Sequence, residues 1–467
     1  MHVGASLGRM IGERVLETER TPGQPGAAST IAGWLTAHPA LHVALAAVAA
    51  ALFVAAAALF QGLCPLSQNL GGMFPYSDWR IVDWNGHYWN YWQSGQVLQG
   101  RGSLFHSVFE FHPHGLPTGG IHGDPLLRVL GGLFNLVFSP GTAFFLVGMV
   151  TLWGNALGGA LLGYQLTRSH LSAGLLGIFL ALSGIAAWSL NTGNFEYGFL
   201  GLLCLHLVFL FRLIGAWRAR DAILCALFGA LALWTNLGIF FHVLLLDAVL
   251  LGPRWRAALQ HWRTLAIVLS LSALFLAPAA ASLLISKDSE PPAQERMMLG
   301  DREQVDAGDL GVAVGNSRFL TDYIPWFQGE DLADTRVPVG ILVLGLAGVV
   351  LAAQGILEWW GIALLFFVLA LGPFLRLHGS GGALGFRLPF YYLHEIIPYY
   401  GQFRFPHRIF GFSVLALGVA AAFGLRRLEE RFTGRWVRLL PLVLVLTVTA
   451  ELLGGWALHS TDRTPVS

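Results

Sequence analysis

Long apolar runs separated by short polar loops dominate this chain, and their lengths set its architecture. The first, about residues 41–63, is Ala-rich and uncharged over the ~20 residues that a bilayer-crossing helix needs. Further runs near 141–164, 172–190, 198–215, 264–286, 337–353, 357–375, 409–425 and 439–457 predict more crossings. Two stretches break the pattern. Residues 126–138, L-L-R-V-L-G-G-L-F-N-L-V-F, are too short to span and predict an interfacial or half-inserted helix. Residues 222–251 are too long for one crossing and carry Thr235, Asn236 and Gly238 at their centre. They predict two short helices meeting at a polar break, which at membrane depth must be shielded by protein or line a cavity. The expected fold is an all-α, polytopic transmembrane bundle of about 9–11 spans, with an external loop and an in-plane helix layer.

Composition agrees. Hydrophobic residues make up 55% of the chain and charged residues only 12%, against the roughly 25% charged of a soluble domain, and mean hydropathy is +0.60. A net charge of +1 argues against general affinity for nucleic acid. Cys64, Cys204 and Cys225 lie at the end of or inside apolar segments without metal-type spacing and read as small core residues. Residues 1–39 mix Arg9, Arg14 and Arg20 with Glu13, Glu17 and Glu19, then run into Pro, Gly, Ala and Ser. They read as a disordered cytoplasmic tail rather than a cleavable signal.

Arginine placement sets the expected orientation. Arg168, then Arg212, Arg218 and Arg220, then Arg254, Arg256 and Arg263, then Arg426, Arg427, Arg431, Arg435 and Arg438 flank short loops, which the positive-inside rule puts in the cytoplasm. Segments 65–125, 191–197, 287–335 and 376–408 then fall outside, provided 222–251 returns to the side it left. Residues 426–467 form a cytoplasmic Arg-rich loop and a last crossing.

With that topology, the chemically suggestive residues share the outer face. Ser77 to Trp92, S-D-W-R-I-V-D-W-N-G-H-Y-W-N-Y-W, sets Asp78, Asp83 and His87 among interfacial aromatics, where partial desolvation tunes a carboxylate toward base chemistry; an aromatic belt with solvated acids is the plainer reading. Other outer loops bring His112 and His114, His122 with Asp124, Asn194 with Glu196, and Arg404 and Arg408 in F-R-F-P-H-R. Arg forks match phosphate oxygens, although snorkelling or a salt bridge to Glu395 would equally place Arg404 and Arg408. Glu196 also fits a helix-dipole cap. His106, His112, His114, His122 and Asp124 are competent metal ligands in no strong motif, and local hydrogen bonding suits them as well. His206, His242 and Asp247 lie within apolar stretches, where functional and structural roles are both open.

The acidic motif after the first span, F-H-P-H-G-L-P-T with H-G-D-P-L-L, the short in-plane helix, S-L-N-T-G-N-F-E-Y-G between two helices, and the late F-R-F-P-H-R-I-F together resemble bacterial multi-spanning glycosyltransferases of the GT-C superfamily over most of residues 40–425. That resemblance implies an inverting glycosyltransferase at the outer face of a bacterial inner membrane, taking sugar from a polyprenyl-phosphate donor to an envelope glycan, lipid or protein. In it an acid of the first external loop acts as base on the acceptor. Asp83 is the first choice and Asp78 the second, with His87 beside them; Asp124, His122, Glu196, Asn194, Arg404 and Arg408 bind substrate. The family's occasional divalent metal ion is the only cofactor it allows, and no ligand set is assigned. Two departures are visible: the acid lies well beyond the end of the first span, and no large soluble C-terminal domain follows. A lipid or solute transporter and a noncatalytic membrane assembly protein remain as alternatives.

Overall fold

The computed structural model describes residues 78–102, 106–107, 116–117, 124–288, 337–351, 355–375, 386–397, 400, 406–431 and 443–452. It is all-α apart from one two-residue antiparallel ladder, β1 (His106–Ser107) with β2 (Leu116–Pro117). The elements that matter below are α1 (Asp78–Leu98), α2 (Pro125–Asn135), α3 (Pro140–Thr167), α4 (His170–Leu182), α5 (Gly184–Thr192), α6 (Phe195–Gly198), α7 (Gly201–Ala216), α8 (Ala219–Thr235) and α9 (Phe240–Leu251). They continue with α10 (Trp255–Gln260), α11 (Trp262–Asp288), α12 (Val339–Val350), α13 (Ile356–Ala370), α14 (Pro389–Ile396), α15 (Phe410–Arg431) and α16 (Val443–Leu452).

Four helices among the described residues are long and apolar enough to cross a membrane: Pro140–Thr167, His170–Ala187, Phe195–Ala216 and Phe410–Arg431. Phe240–Gln260 and Trp262–Pro278 pass the same test only together and bend by 118° at their junction, as a broken span or a re-entrant hairpin does. Val339–Val350, Ile356–Ala370 and Val443–Leu452 are shorter apolar helices at expected crossings. The tail 1–39, the first expected span and most of the 287–335 loop lie outside the described residues.

At the centre is α15. Phe410 through Leu425 are all buried, as expected of a helix that is apolar all round. Helix α12 lies so close that a Cβ on Gly424 would stand 1.9 Å from the Leu344 carbonyl oxygen, and α13 and α4 pack on its other sides. Helices α3, α4 and α7 form the second core group, with α8 against α7 and α11.

Three breaks differ from uniform crossings. The 172–190 run is two helices, because Ser183 interrupts it: its Oγ donates to Leu180 O at 3.2 Å and accepts from Ala186 N at 3.4 Å. The 222–251 run is also two helices, α8 and α9, joined by a 3₁₀ turn at Leu237–Ile239, with Asn236 Oδ1 accepting from Gly238 N at 2.9 Å. The third break, Phe199–Leu200 between α6 and α7, opens backbone groups inside the bundle. Asn155 of α3, fully buried, closes it: its Nδ2 donates to Gly198 O at 2.6 Å and its Oδ1 accepts from Gly201 N at 2.8 Å. Glycines permit the approach, since a Cβ on Gly201 would lie 2.1 Å from Gly154 O.

Asn155→Leu keeps the branched side-chain shape but orphans the Gly201 N–H, while Gly198 O still accepts from Leu200 N at 3.1 Å, so stability should fall by about 1–3 kcal/mol, the cost of one unsatisfied buried group. Thermal unfolding in detergent reads this. An unfolding temperature matching wild type would mean that the α6–α7 break is satisfied without Asn155.

Candidate functional site

Segments distant in sequence meet at one end of the bundle: α1, the start of α2, the α5–α6 turn and the 3₁₀ turn Pro406–Ile409. The stretch from Asp78, expected as part of an external loop, is helical, so His87, Asn90, Tyr91 and Ser94 follow at helical spacing along one face.

A short helix, α2, forms over most of the 126–138 stretch, and Asp124 stands at its N-terminus. Pro125 starts the helix, yet the Asp124 side chain makes no capping hydrogen bond and is 1% exposed. The helix is locked onto α1 by Arg128 Nη2, which donates to Asn90 Oδ1 at 2.9 Å, and by Asn135 Nδ2, which donates to Tyr91 O at 3.0 Å. Gly131 admits the Tyr91 ring, since a Cβ there would be 2.5 Å from Tyr91 Cγ.

The α5–α6 turn brings the second acid. Gly193 ends α5 at φ +77°, in the left-handed region that favours glycine. Ser189 Oγ then donates to Asn194 O at 2.7 Å, and the chain turns so that Glu196 is buried. Behind the polar groups Tyr91, Phe144 and Phe195 form an aromatic cluster, with Phe144 and Phe195 centroids 4.7 Å apart.

His87 is the hub. Its Nε2–H donates to Asn194 Oδ1 at 2.9 Å and lies 3.7 Å from Glu196 Oε1, while Nδ1 stands 3.4 Å from Asp124 Oδ2. Desolvation pushes the imidazole pKa down, but Glu196, Asp124 and Asn194 outweigh it and raise it to about 9. With no metal bound, the ring is an imidazolium bridging two buried carboxylates. The Arg408 guanidinium stacks on the Tyr197 ring at 3.9 Å and its charge reaches Glu196.

The donor set also suits a cation. His87, Asp124 and Glu196 each offer one ligand atom, all within 4.8 Å of one another. Both Asp124 carboxylate oxygens, Glu196 Oε2 and His87 Nδ1 are buried with no hydrogen-bond partner. Orphaned carboxylate oxygens are costly, and a divalent ion that accepts imidazole and carboxylate, such as Mn²⁺ or Zn²⁺, would satisfy them. Ion binding would displace the imidazolium proton.

The expected site residues thus divide. His87, Asp124, Asn194, Glu196 and Arg408 come together. Asp83 lies on α1 one helical turn before His87 and Asp78 at the start of that helix; their side chains, His122 and Arg404 lie outside the described residues. Of the candidate ligands His106, His112, His114, His122 and Asp124, Asp124 is the one whose side chain is among the described residues, and it joins the cluster. Glu196 acts as more than a dipole cap, and Glu395 lies near His394, at 3.9 Å. Sequence reasoning missed Arg128, Asn90 and Tyr197.

No family model matches the chain, and no curated protein matches it. Among solved structures, the chain is similar to the archaeal oligosaccharyltransferase AglB from Archaeoglobus fulgidus in complex with an inhibitory peptide and a dolichol-phosphate. That similarity has 15% identity and a TM-score of 0.42, over 92% of this chain and 56% of that one. The chain therefore spans a little over half the length of that oligosaccharyltransferase.

Mn²⁺ at about 100 times its dissociation constant should stabilise the protein by about 2.7 kcal/mol, and the gain should vanish in Asp124→Asn and Glu196→Gln. Unfolding temperature in detergent with and without chelator, with metal content after dialysis, reads this. Equal Mn²⁺ stabilisation of wild type and both variants would place the ion elsewhere.

Proposed function

We propose that this chain is a membrane glycosyltransferase of the GT-C type, moving a sugar from a polyprenyl-phosphate donor to an acceptor at the outer face of a bacterial inner membrane. The observation that carries this reading is the convergence of two buried carboxylates, a histidine and an arginine at one end of an apolar bundle. A substrate whose lipid lies in the bilayer and whose phosphate and sugar lie at its surface would present its reacting bond there. A carrier would more typically set its polar groups near the midplane.

The chemistry assigns roles by charge. Asp83, one turn before His87, takes the proton of the acceptor hydroxyl, with Asp78 in support. The acceptor oxygen attacks the anomeric carbon with inversion as the bond from that carbon to the phosphate oxygen breaks, through an oxocarbenium-like transition state. The electron pair leaves on the polyprenyl phosphate, where Arg408 and Arg404 hold the developing charge. A divalent ion held by Asp124, Glu196 and His87 would supply further positive charge beside that phosphate. Asn194 and Arg128 keep His87 and α2 in register.

The alternative of lipid or solute transport rests on one observation, the pairing of buried His206 with partly buried Asp247 within the helices, at 3.0 Å. It separates cleanly from the transferase reading, because it makes Asp247 essential and Asp83 dispensable.

In membranes reconstituted with a radiolabelled polyprenyl-phosphate sugar, Asp83→Asn should lower transfer by ~10²-fold or more, the scale of general base catalysis. Arg408→Lys keeps charge and loses the guanidinium fork, so it should chiefly weaken donor binding. Wild-type rates for Asp83→Asn and Asp78→Asn alike, with loss in Asp247→Asn, would favour transport.

A further inference from the structure

A second organised surface lies at the opposite end of the helices that carry the carboxylate cluster. Helix α7 starts near Glu196 and runs 16 residues, about 24 Å at 1.5 Å per residue, to Trp217. There the chain meets the elbow made by the end of α9, the short α10 and the start of α11. Trp217 stacks on His261 with ring centroids 4.9 Å apart and an interplanar angle of 11°, and Thr264 Oγ1 donates to Trp217 O at 3.3 Å.

The elbow is braced from within. Arg254 is buried, donates to the Leu250 carbonyl and lies 3.6 Å from Glu358 of α13. Asp221 is likewise buried and taken by Arg212, whose Nε donates to it at 3.0 Å. Both of these acids are therefore paired with arginines, Glu358 with the buried Arg254 and Asp221 with the partly exposed Arg212.

What remains outward is apolar and cationic. Trp255, Leu259 and Trp262 are 55%, 59% and 60% exposed; Trp255 and Leu259 lie one turn apart on α10, and Trp262 begins α11 just beyond the 118° bend. Arg256 and Arg263 are exposed beside Trp255 and Trp262, at 5.4 and 5.7 Å from those ring centroids. Arg220 is exposed at the start of α8. Among the described residues no carboxylate lies within ion-pair distance of Arg220, Arg256 or Arg263.

Exposed Trp and Leu side chains at one elbow, flanked by arginines, match the interface of a bilayer, with rings at headgroup depth and guanidinium groups on phosphates. Neutral lipid would satisfy the rings alone. The excess of cations without acids selects a headgroup carrying net negative charge. We propose that the Trp217–Arg263 elbow is a binding site for anionic phospholipid, in the leaflet opposite the His87 cluster. Arg256 and Arg263 hold the headgroup phosphate, and Trp255 and Trp262 set its depth.

The test uses the full chain in detergent, mixed with equal amounts of phosphatidylglycerol and phosphatidylcholine, with bound lipid counted by native mass spectrometry. Wild type should retain phosphatidylglycerol preferentially. Arg256→Gln with Arg263→Gln should weaken that binding by about 30-fold, roughly fivefold per arginine, and leave phosphatidylcholine unchanged. Arg256→Lys with Arg263→Lys should preserve the preference, which separates lost charge from lost packing. Undiminished phosphatidylglycerol retention in the glutamine pair, or an equal fall for both lipids, would overturn the proposal. Neither outcome depends on whether the chain transfers sugar.

Discussion

The side-chain amide of Asn155 is the interaction on which the site most depends. A chain break inside an apolar bundle exposes an N–H and a C=O that no water can reach, and each costs free energy until paired. Asn155 is the residue type that can donate and accept at once, and it does both across the α6–α7 break. With that break closed, α6 and α7 run on as one apolar segment, Phe195–Ala216. Its first turn carries Glu196 to within 3.7 Å of His87.

Charge balance follows from the same confinement. Asp124 and Glu196 are both buried, and two anions so close repel strongly at low effective dielectric. The imidazolium of His87 offsets part of this, which is why the ring stays protonated against its own desolvation. Arg128 and Arg408 supply further cations at the margins. A divalent ion would exchange one proton for two charges, turning a balanced cluster into one that attracts a phosphate. The neutral amides of Asn90 and Asn194 hold Arg128 and His87 in place without adding anions, so geometry is fixed separately from charge.

The fold was readable where its cause is local. Apolar run length found the helices of 140–216 and 410–431, the short α2, and the α8–α9 break, because Thr235, Asn236 and Gly238 in one apolar run are a local anomaly. The Ser183 break was not visible, since one serine in an apolar run is also compatible with a continuous helix. Site residues were legible as types on a shared face, but their pairing was not. His87 meets Asn194 across 107 residues, a contact no spacing encodes. Asn155 and Arg128 were silent for a similar reason: one amide among glycines and one arginine in an amphipathic helix match ordinary expectations until their partners are known.

The α8–α9 break persists because it is held on two sides. Toward the 400–409 segment, His242 of α9 shares a 3.0 Å hydrogen bond with Tyr400, whose hydroxyl belongs to the connection leading to Arg408. Deeper in the bundle, His206 of α7 faces the Cys225 carbonyl at 3.0 Å and the Asp247 carboxylate at 3.0 Å. An imidazole with an acceptor at each nitrogen holds either two ring protons against a carboxylate or one against a carboxylic acid. Both states are neutral as a pair, which is the form an apolar interior tolerates. That one ring joins α7, α8 and α9, the helix leading from the Glu196 turn and the two that flank the break. The polar residues inside the bundle therefore act as cross-ties for helices too short to be stable alone, and the irregular segments they hold are those that bring Glu196 and Arg408 to the same end.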